Sequence, residues 1–202
     1  RTLDLPGVRE LLLDGTSDIV ALASFLGSVA EYPNLAGLQP DLYRCFMEQT
    51  WRHQSPAGVT SLIHPETHFT DEKAGTLRES AYSRLRRHWQ FMNALMLFEI
   101  HDQVSYGVHI YGTPQAPGFY QATSLYHPDT VERSLTHDGS GAEPGLKNPE
   151  GGWDLRPHRS RVIWVDDSVL SSWHELLEDS STPVRFSRMI YTVNRSASEV
   201  LR

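Results

Sequence analysis

His64-Pro65-Glu66-Thr67-His68 gathers two imidazoles and a carboxylate in one short run, a set able to hold a metal ion or move a proton. The helical zinc motif needs Glu directly after the first His and both His one turn apart on an unbroken helix. Here Glu66 is displaced and Pro65 breaks the helix. No third ligand stands out in the sequence, so no metal site is expected, and the run reads as a polar loop at the mouth of a site. A second strip, Arg156-Pro157-His158-Arg159-Ser160-Arg161, has the composition of a backbone contact to nucleic acid. Arg156, Arg159 and Arg161 would then supply salt-dependent, sequence-blind affinity. A solvated turn leading into a strand accounts for the strip equally well. Arg84-Leu85-Arg86-Arg87 reads better as cations gathered at a helix C-terminus. Cys45 is the single cysteine, which excludes an internal disulfide and points to a small buried apolar residue rather than a nucleophile. Ser, His and Asp are plentiful, but no Gly-x-Ser-x-Gly elbow supports a hydrolase.

These residues must be positioned by regular elements, and the hydrophobic pattern supplies them. Val20, Leu22, Ala23, Phe25 and Leu26, with Thr16-Ser17-Asp18 as an N-cap cluster, predict a helix over 17–29. Pro40 and Asp41 open a second helix, with Leu42, Cys45, Phe46 and Gln49 on one face. It should end near Gln54, before the breaker cluster Ser55-Pro56-Ala57-Gly58. Val59–Ile63 reads as a strand leaving into His64-Pro65. Thr70-Asp71-Glu72 marks another helix start, with the stripe Ala74, Leu77, Ala81 and Leu85. Trp89–Asn93 and Val104–Tyr111 alternate as strands, the latter with Val104, Tyr106, Val108 and Ile110 on one face. The order helix, strand, helix, strand, strand predicts an α/β sheet whose last two strands pair as an antiparallel hairpin at an edge. Gly112, Pro114, Pro117, Gly118 and the later Gly139 to Gly152 cluster read as linker or loops. Beyond them, a strand over 161–165, a helix over 168–177 and a strand over 189–193 predict a second αβ segment.

Asp41-Leu42-Tyr43-Arg44-Cys45-Phe46 resembles the Asn/Asp-Leu-Tyr-x-x-Phe segment of DNA adenine-N6 methyltransferases of the Taq type and of large restriction–modification enzymes. Ser55-Pro56-Ala57-Gly58-Val59 and Leu62-Ile63-His64-Pro65 resemble the stretch that follows it in that family, as do Leu77–Arg87, Trp89–Leu97, Phe98 and Val104–Tyr111 in order. Phe25-Leu26-Gly27, Tyr32-Pro33, Gly37-Leu38-Gln39, His64-Pro65-Glu66 and Trp89-Gln90-Phe91-Met92-Asn93 resemble the large bacterial phage-defence methylases. The resemblance covers residues 20–112 well and 153–175 thinly. It implies the C-terminal half of a class I (Rossmann-like) methyltransferase sheet ending in a β-hairpin, plus part of a second α/β segment. Domains would then be a partial catalytic domain over 1–112, a linker over 113–152 and the start of a target-recognition region over 153–202. By the same resemblance Phe46 would pack on the adenine ring of S-adenosylmethionine. Phe98 would stack on the target adenine once it leaves the duplex, with His64 and Pro65 beside it at a strand's carboxyl end.

Two departures limit what this chain would do alone. The family's catalytic Asn/Asp-Pro-Pro-aromatic tetrapeptide is absent, since no Pro-Pro occurs anywhere. The Gly-rich cofactor loop is absent too; Gly139-Ser140-Gly141 is the nearest text and follows no strand. The expectation is therefore part of a methyltransferase, with no catalytic residues here and with the remainder of the same polypeptide, upstream and downstream, as partner. Double-stranded DNA is the expected substrate and the cytoplasm the expected compartment, with no membrane-spanning stretch and no signal peptide. A non-catalytic nucleic-acid-binding or adaptor module with a methyltransferase-like fold is the alternative. The net charge of -7 argues against a free-standing nucleic-acid binder. The acidity belongs to residues 1–150, with 11 Lys+Arg against 18 Asp+Glu, while 151–202 carries seven of each.

Overall fold

The computed structural model describes residues 5–201 and divides into two compact units, one ending at Arg52 and the other beginning at His53. The first unit contains helices α1 (Val8–Leu26) and α2 (Leu42–His53). α1 starts well before the predicted 17–29, because Gly7 in a left-handed conformation (φ 78°) opens it ahead of the uninterrupted Val8–Leu13. It buries no residue, and Leu11, Ile19, Val20, Leu22 and Phe25 are all exposed. α2 ends as expected but turns a different face inward: Arg44, Met47, Glu48 and Trp51, together with Cys45, are buried, whereas Leu42 and Phe46 are exposed. That set has the same i, i+3, i+4, i+7 spacing as the predicted stripe, so periodicity alone could not choose between them. Within this unit the Asn34 amide donates to Glu48 Oε1 at 3.5 Å, and Arg52 pairs with Glu31.

The second unit is an α/β arrangement built on a five-stranded mixed sheet. Its strands are β1 (Thr60–His64), β2 (Leu85–Met92), β3 (Ser105–Tyr111), β4 (Gly118–Leu125) and β5 (Ile163–Asp166), in the order β1-β3-β2-β4-β5. β3 is antiparallel to both β1 and β2, and β4 is parallel to β2. β1, β2 and β4 therefore run in one direction and deliver their carboxyl ends to one side of the sheet. The predicted β2–β3 hairpin forms, from Leu85↔Tyr111 to Met92↔Ser105. It does not lie at an edge, because β1 joins its far side and β4 its near side; the edges are β1 and β5.

Short helices α3 (Thr67–Thr70), α4 (Gly75–Arg84) and α5 (Pro128–Leu135) lie between these strands, and α6 (Asp167–Leu177) and α7 (Arg195–Glu199) follow the last of them. The stripe Ala74, Leu77, Ala81 and Leu85 is fully buried, as its spacing predicts. Arg86 and Arg87 belong to β2 rather than to a helix end.

Two expectations need correction. The 113–152 stretch holds β4 and α5, so its glycines and prolines punctuate elements instead of marking a linker. His127 caps α5 through its side chain and Pro128 takes the first helical position, where a missing N–H is harmless. The 153–202 stretch is not a separate αβ segment, because β5 pairs antiparallel with β4 in the same sheet. Its predicted strand over 189–193 is absent. Gln121 Nε2 donates to the Ile190 carbonyl at 3.2 Å and Thr123 Oγ1 to the Thr192 carbonyl at 2.8 Å, so β4 side chains hold this segment instead of a backbone ladder.

Candidate functional site

The two faces of the sheet carry different chemistry, because side chains alternate along each strand and paired residues share a face. One face collects Trp89, Phe91, Tyr106, Val108 and Ala122 and packs against Val131 of α5. Where α5 ends, this face remains partly open as an apolar cleft of about 560 Å³, lined by Ile63, Trp89, Phe91, Phe98, Tyr106 and Val131 among others.

Phe98 stands at this cleft in the β2–β3 connection, 43% exposed, edge-on to Tyr106 with ring centroids 4.9 Å apart. The fully buried Asn93 sets its position. Asn93 Oδ1 accepts from the Phe98 amide at 3.1 Å, while its Nδ2 donates to the carbonyls of Phe98 at 3.0 Å and Ile100 at 2.8 Å. One amide side chain thus holds the connection in a defined turn and leaves the phenyl ring half in solvent.

The opposite face is polar and more deeply buried. His64 (β1), His88 (β2) and His109 (β3) lie on it, with Glu66 from the β1–α3 turn reaching between the latter two. Glu66 Oε1 accepts from His88 Nε2 and lies 3.6 Å from His109 Nε2. His64 stacks on His109 with ring centroids 3.9 Å apart and planes within 1°. Its Nε2 meets the Tyr111 hydroxyl at 3.1 Å and its Nδ1 the Pro65 carbonyl at 2.7 Å. Phe69 of α3 closes the cluster, 5.1 Å from His88 and 5.6 Å from His109.

Burial pushes the His64 imidazolium down to about 4. Burial, aided by the charge of His64, pushes His109 well below its ordinary value. For Glu66 burial raises the carboxyl, but neighbouring His88 and His109 outweigh it and hold it below its ordinary range. Burial thus favours the neutral forms of His64 and His109, beside a carboxyl held toward its ionised form. Glu66 Oε2, His88 Nδ1 and both ring nitrogens of His109 have no hydrogen-bond partner.

The predicted site residues are thus distributed. His64 is inside the sheet's polar face and not at an open mouth, while Pro65 remains exposed. Phe46 is 66% exposed on α2, so it is not the core residue that an amphipathic helix would ordinarily make of it. Cys45 is buried as expected, and burial raises its thiol pKa.

Among the arginines, Arg161 must be withdrawn as a backbone contact. Its side chain is 0% exposed and donates to the carbonyls of Arg156 and Asp154 at 2.8 and 2.6 Å, closing the loop from within. Arg156 is half-exposed but engaged by both carboxylate oxygens of Asp154, whose pKa that pairing lowers to about 2. Arg159 is exposed.

His88 and His109 went unnoticed in the sequence because each is isolated on its strand. The usable signal was their phase: His88 alternates with Gln90, and His109 with Tyr111 and Gly107, so both belong to the face opposite the apolar set. No helix among the described residues is long and apolar enough to cross a membrane. Neither a protein-family model nor a curated protein matches the chain.

Proposed function

We propose that this chain is the C-terminal part of the catalytic domain of a DNA adenine-N6 methyltransferase of a restriction–modification or phage-defence system. In the intact protein a methyl group passes from S-adenosylmethionine to the exocyclic N6 of an adenine in double-stranded DNA. Phe98 supplies the stacking surface for that base, and Phe46 an apolar partner for the cofactor's adenine. The Asx-Pro-Pro-aromatic tetrapeptide that accepts the amino hydrogens comes from another part of the polypeptide.

The observation that carries this reading is Phe98. A large aromatic side chain is held half-exposed by a dedicated buried amide, at the carboxyl ends of parallel strands, where open α/β sheets place their ligands. An extruded base needs a replacement for the stacking it loses in the duplex, and a preset aromatic face provides it. The order β1-β3-β2, with β3 inserted antiparallel between two strands of like direction, also fits part of a class I sheet, which β4 and β5 here extend beyond the hairpin. Exposure of Phe46 leaves its ring accessible to a planar ligand.

The test uses the full-length protein with tritiated S-adenosylmethionine and unmethylated genomic DNA. Label should appear in N6-methyladenine, and Phe98→Ala should slow transfer by about tenfold or more, the worth of one base–aromatic stack, with cofactor affinity nearly unchanged. Absence of N6-methyladenine in the wild-type reaction, alongside retained DNA binding, would move the chain to the non-catalytic reading.

A further inference from the structure

The polar face of the sheet carries more unmet bonding capacity than a hydrogen-bonded core tolerates. Glu66 is 4% exposed, and His88 and His109 are wholly buried. Buried polar atoms are nearly always partnered, by protein, water or an ion. Here Glu66 Oε2, His88 Nδ1 and His109 Nδ1 are not, and His109 Nε2 meets only Glu66 Oε1 at 3.6 Å, all in one cluster of metal-ligating groups. One ligand atom from each of the three residues falls within 4.8 Å of the others.

We propose that Glu66, His88 and His109 form a buried site for a divalent transition-metal ion, zinc being the best fit, which pins the β1–α3 turn to β2 and β3. Mixed imidazole and carboxylate donors suit zinc and its borderline neighbours and are poor for magnesium or calcium. Two ligands at about 2.1 Å from a tetrahedral ion stand about 3.4 Å apart, and His109 Nε2 and Glu66 Oε1 are already at 3.6 Å. Glu66 with both oxygens, His88 and His109 make four donor atoms, enough to close the coordination sphere of a structural site.

The backbone has also been cleared for this approach. A Cβ on Gly107 would fall 2.6 Å from Glu66 Oε1 and inside contact distance of the His109 ring, so only glycine at that position admits both groups. The site lies on the face opposite Phe98, and its existence does not depend on the methyl-transfer reading.

The full chain, stripped with a chelator, is titrated with zinc chloride and, separately, with cobalt(II) chloride. One equivalent of zinc should survive gel filtration, and the melting temperature should rise. X-ray absorption at the zinc edge should show two imidazoles with oxygen donors and no sulfur. Glu66→Gln and His109→Gln should each weaken retention by more than about a hundredfold, beyond the loss typical of outer-shell changes. Failure of the folded wild-type chain to retain zinc or cobalt overturns the proposal. So does retention that both folded variants preserve. Should the variants not fold, the absorption spectrum of the wild type decides: fewer than two imidazoles, or any sulfur ligand, rules the site out.

Discussion

The two faces of the central sheet use the same strands for opposite purposes. The face of Trp89, Phe91, Tyr106 and Val108 is apolar yet incompletely covered, and ends in a cleft with Phe98 at its rim. The face of His64, His88, His109 and Gln121 is polar yet sealed beneath Phe69, Tyr82 and the 187–192 segment. The usual assignment, apolar inward and polar outward, would put the histidines in water. It fails here because the groups that cover the polar face satisfy one another, while the Glu66, His88 and His109 cluster beneath keeps unmet bonding atoms. Arg78, almost fully buried, donates to the carbonyls of His68, Asp71 and Phe186, and the Tyr82 hydroxyl donates to the Ser187 carbonyl at 2.9 Å. Polarity is a cost in a core only when it is unpaired, so the more polar face can be the better buried. An apolar face left open is the part of such a sheet that has room for a ligand.

This contrast can be tested directly. The largest expected effect is Phe119→Ala on the sealed face, where the ring is fully buried and stacks near Tyr82 with centroids 6.0 Å apart. It should cost about 3–5 kcal/mol in denaturant unfolding, as large-to-small core changes do. A cost near zero would mean that this face is not the rigid one.

Acid should weaken the sealed face next. His64 takes up its proton at about 4 in the folded chain, against about 6.5 when unfolded, so between those values the unfolded state binds more protons. His109, also pushed down, acts in the same sense. In the metal-free protein, stability should be fully present above pH 6.5 and fall as pH drops from there toward 4, read as urea midpoints across that window. His64→Phe should flatten the decline, and an unchanged slope would remove His64 from the account.

The smallest stability effect belongs to Phe98→Ala on the open face. Its half-exposed ring contributes chiefly its edge-on contact with Tyr106, so unfolding should shift by only about 1 kcal/mol. A loss as large as that of Phe119→Ala would return Phe98 to the core and remove the main support for base stacking.

Much of the local structure could be read from residue patterns. Both strands of the hairpin, the buried Ala74, Leu77, Ala81 and Leu85 stripe, the helix over Asp167–Leu177 and buried Cys45 all follow from periodicity, capping and breaker residues. Of the polar cluster, His64 and Glu66 stand together in the sequence, in a run that reads there as a polar loop without a metal, and Phe98 is singled out by the resemblance alone. His88 and His109 were not legible, since each stands on a different strand and neither has a ligand neighbour in the chain.

What the sequence by itself determined is the set of elements and their alternating faces, because helix and strand periods are properties of consecutive residues. The tertiary structure alone decided which face would be sealed. Pairing β3 between β1 and β2 and β5 onto β4 brings together residues far apart in the chain. It gathers Glu66, His88 and His109 into one cluster, withdraws Arg161 into a loop and leaves Phe98 at an open rim. Burial and ligand sets are relations between strands, and no period along a single strand encodes them.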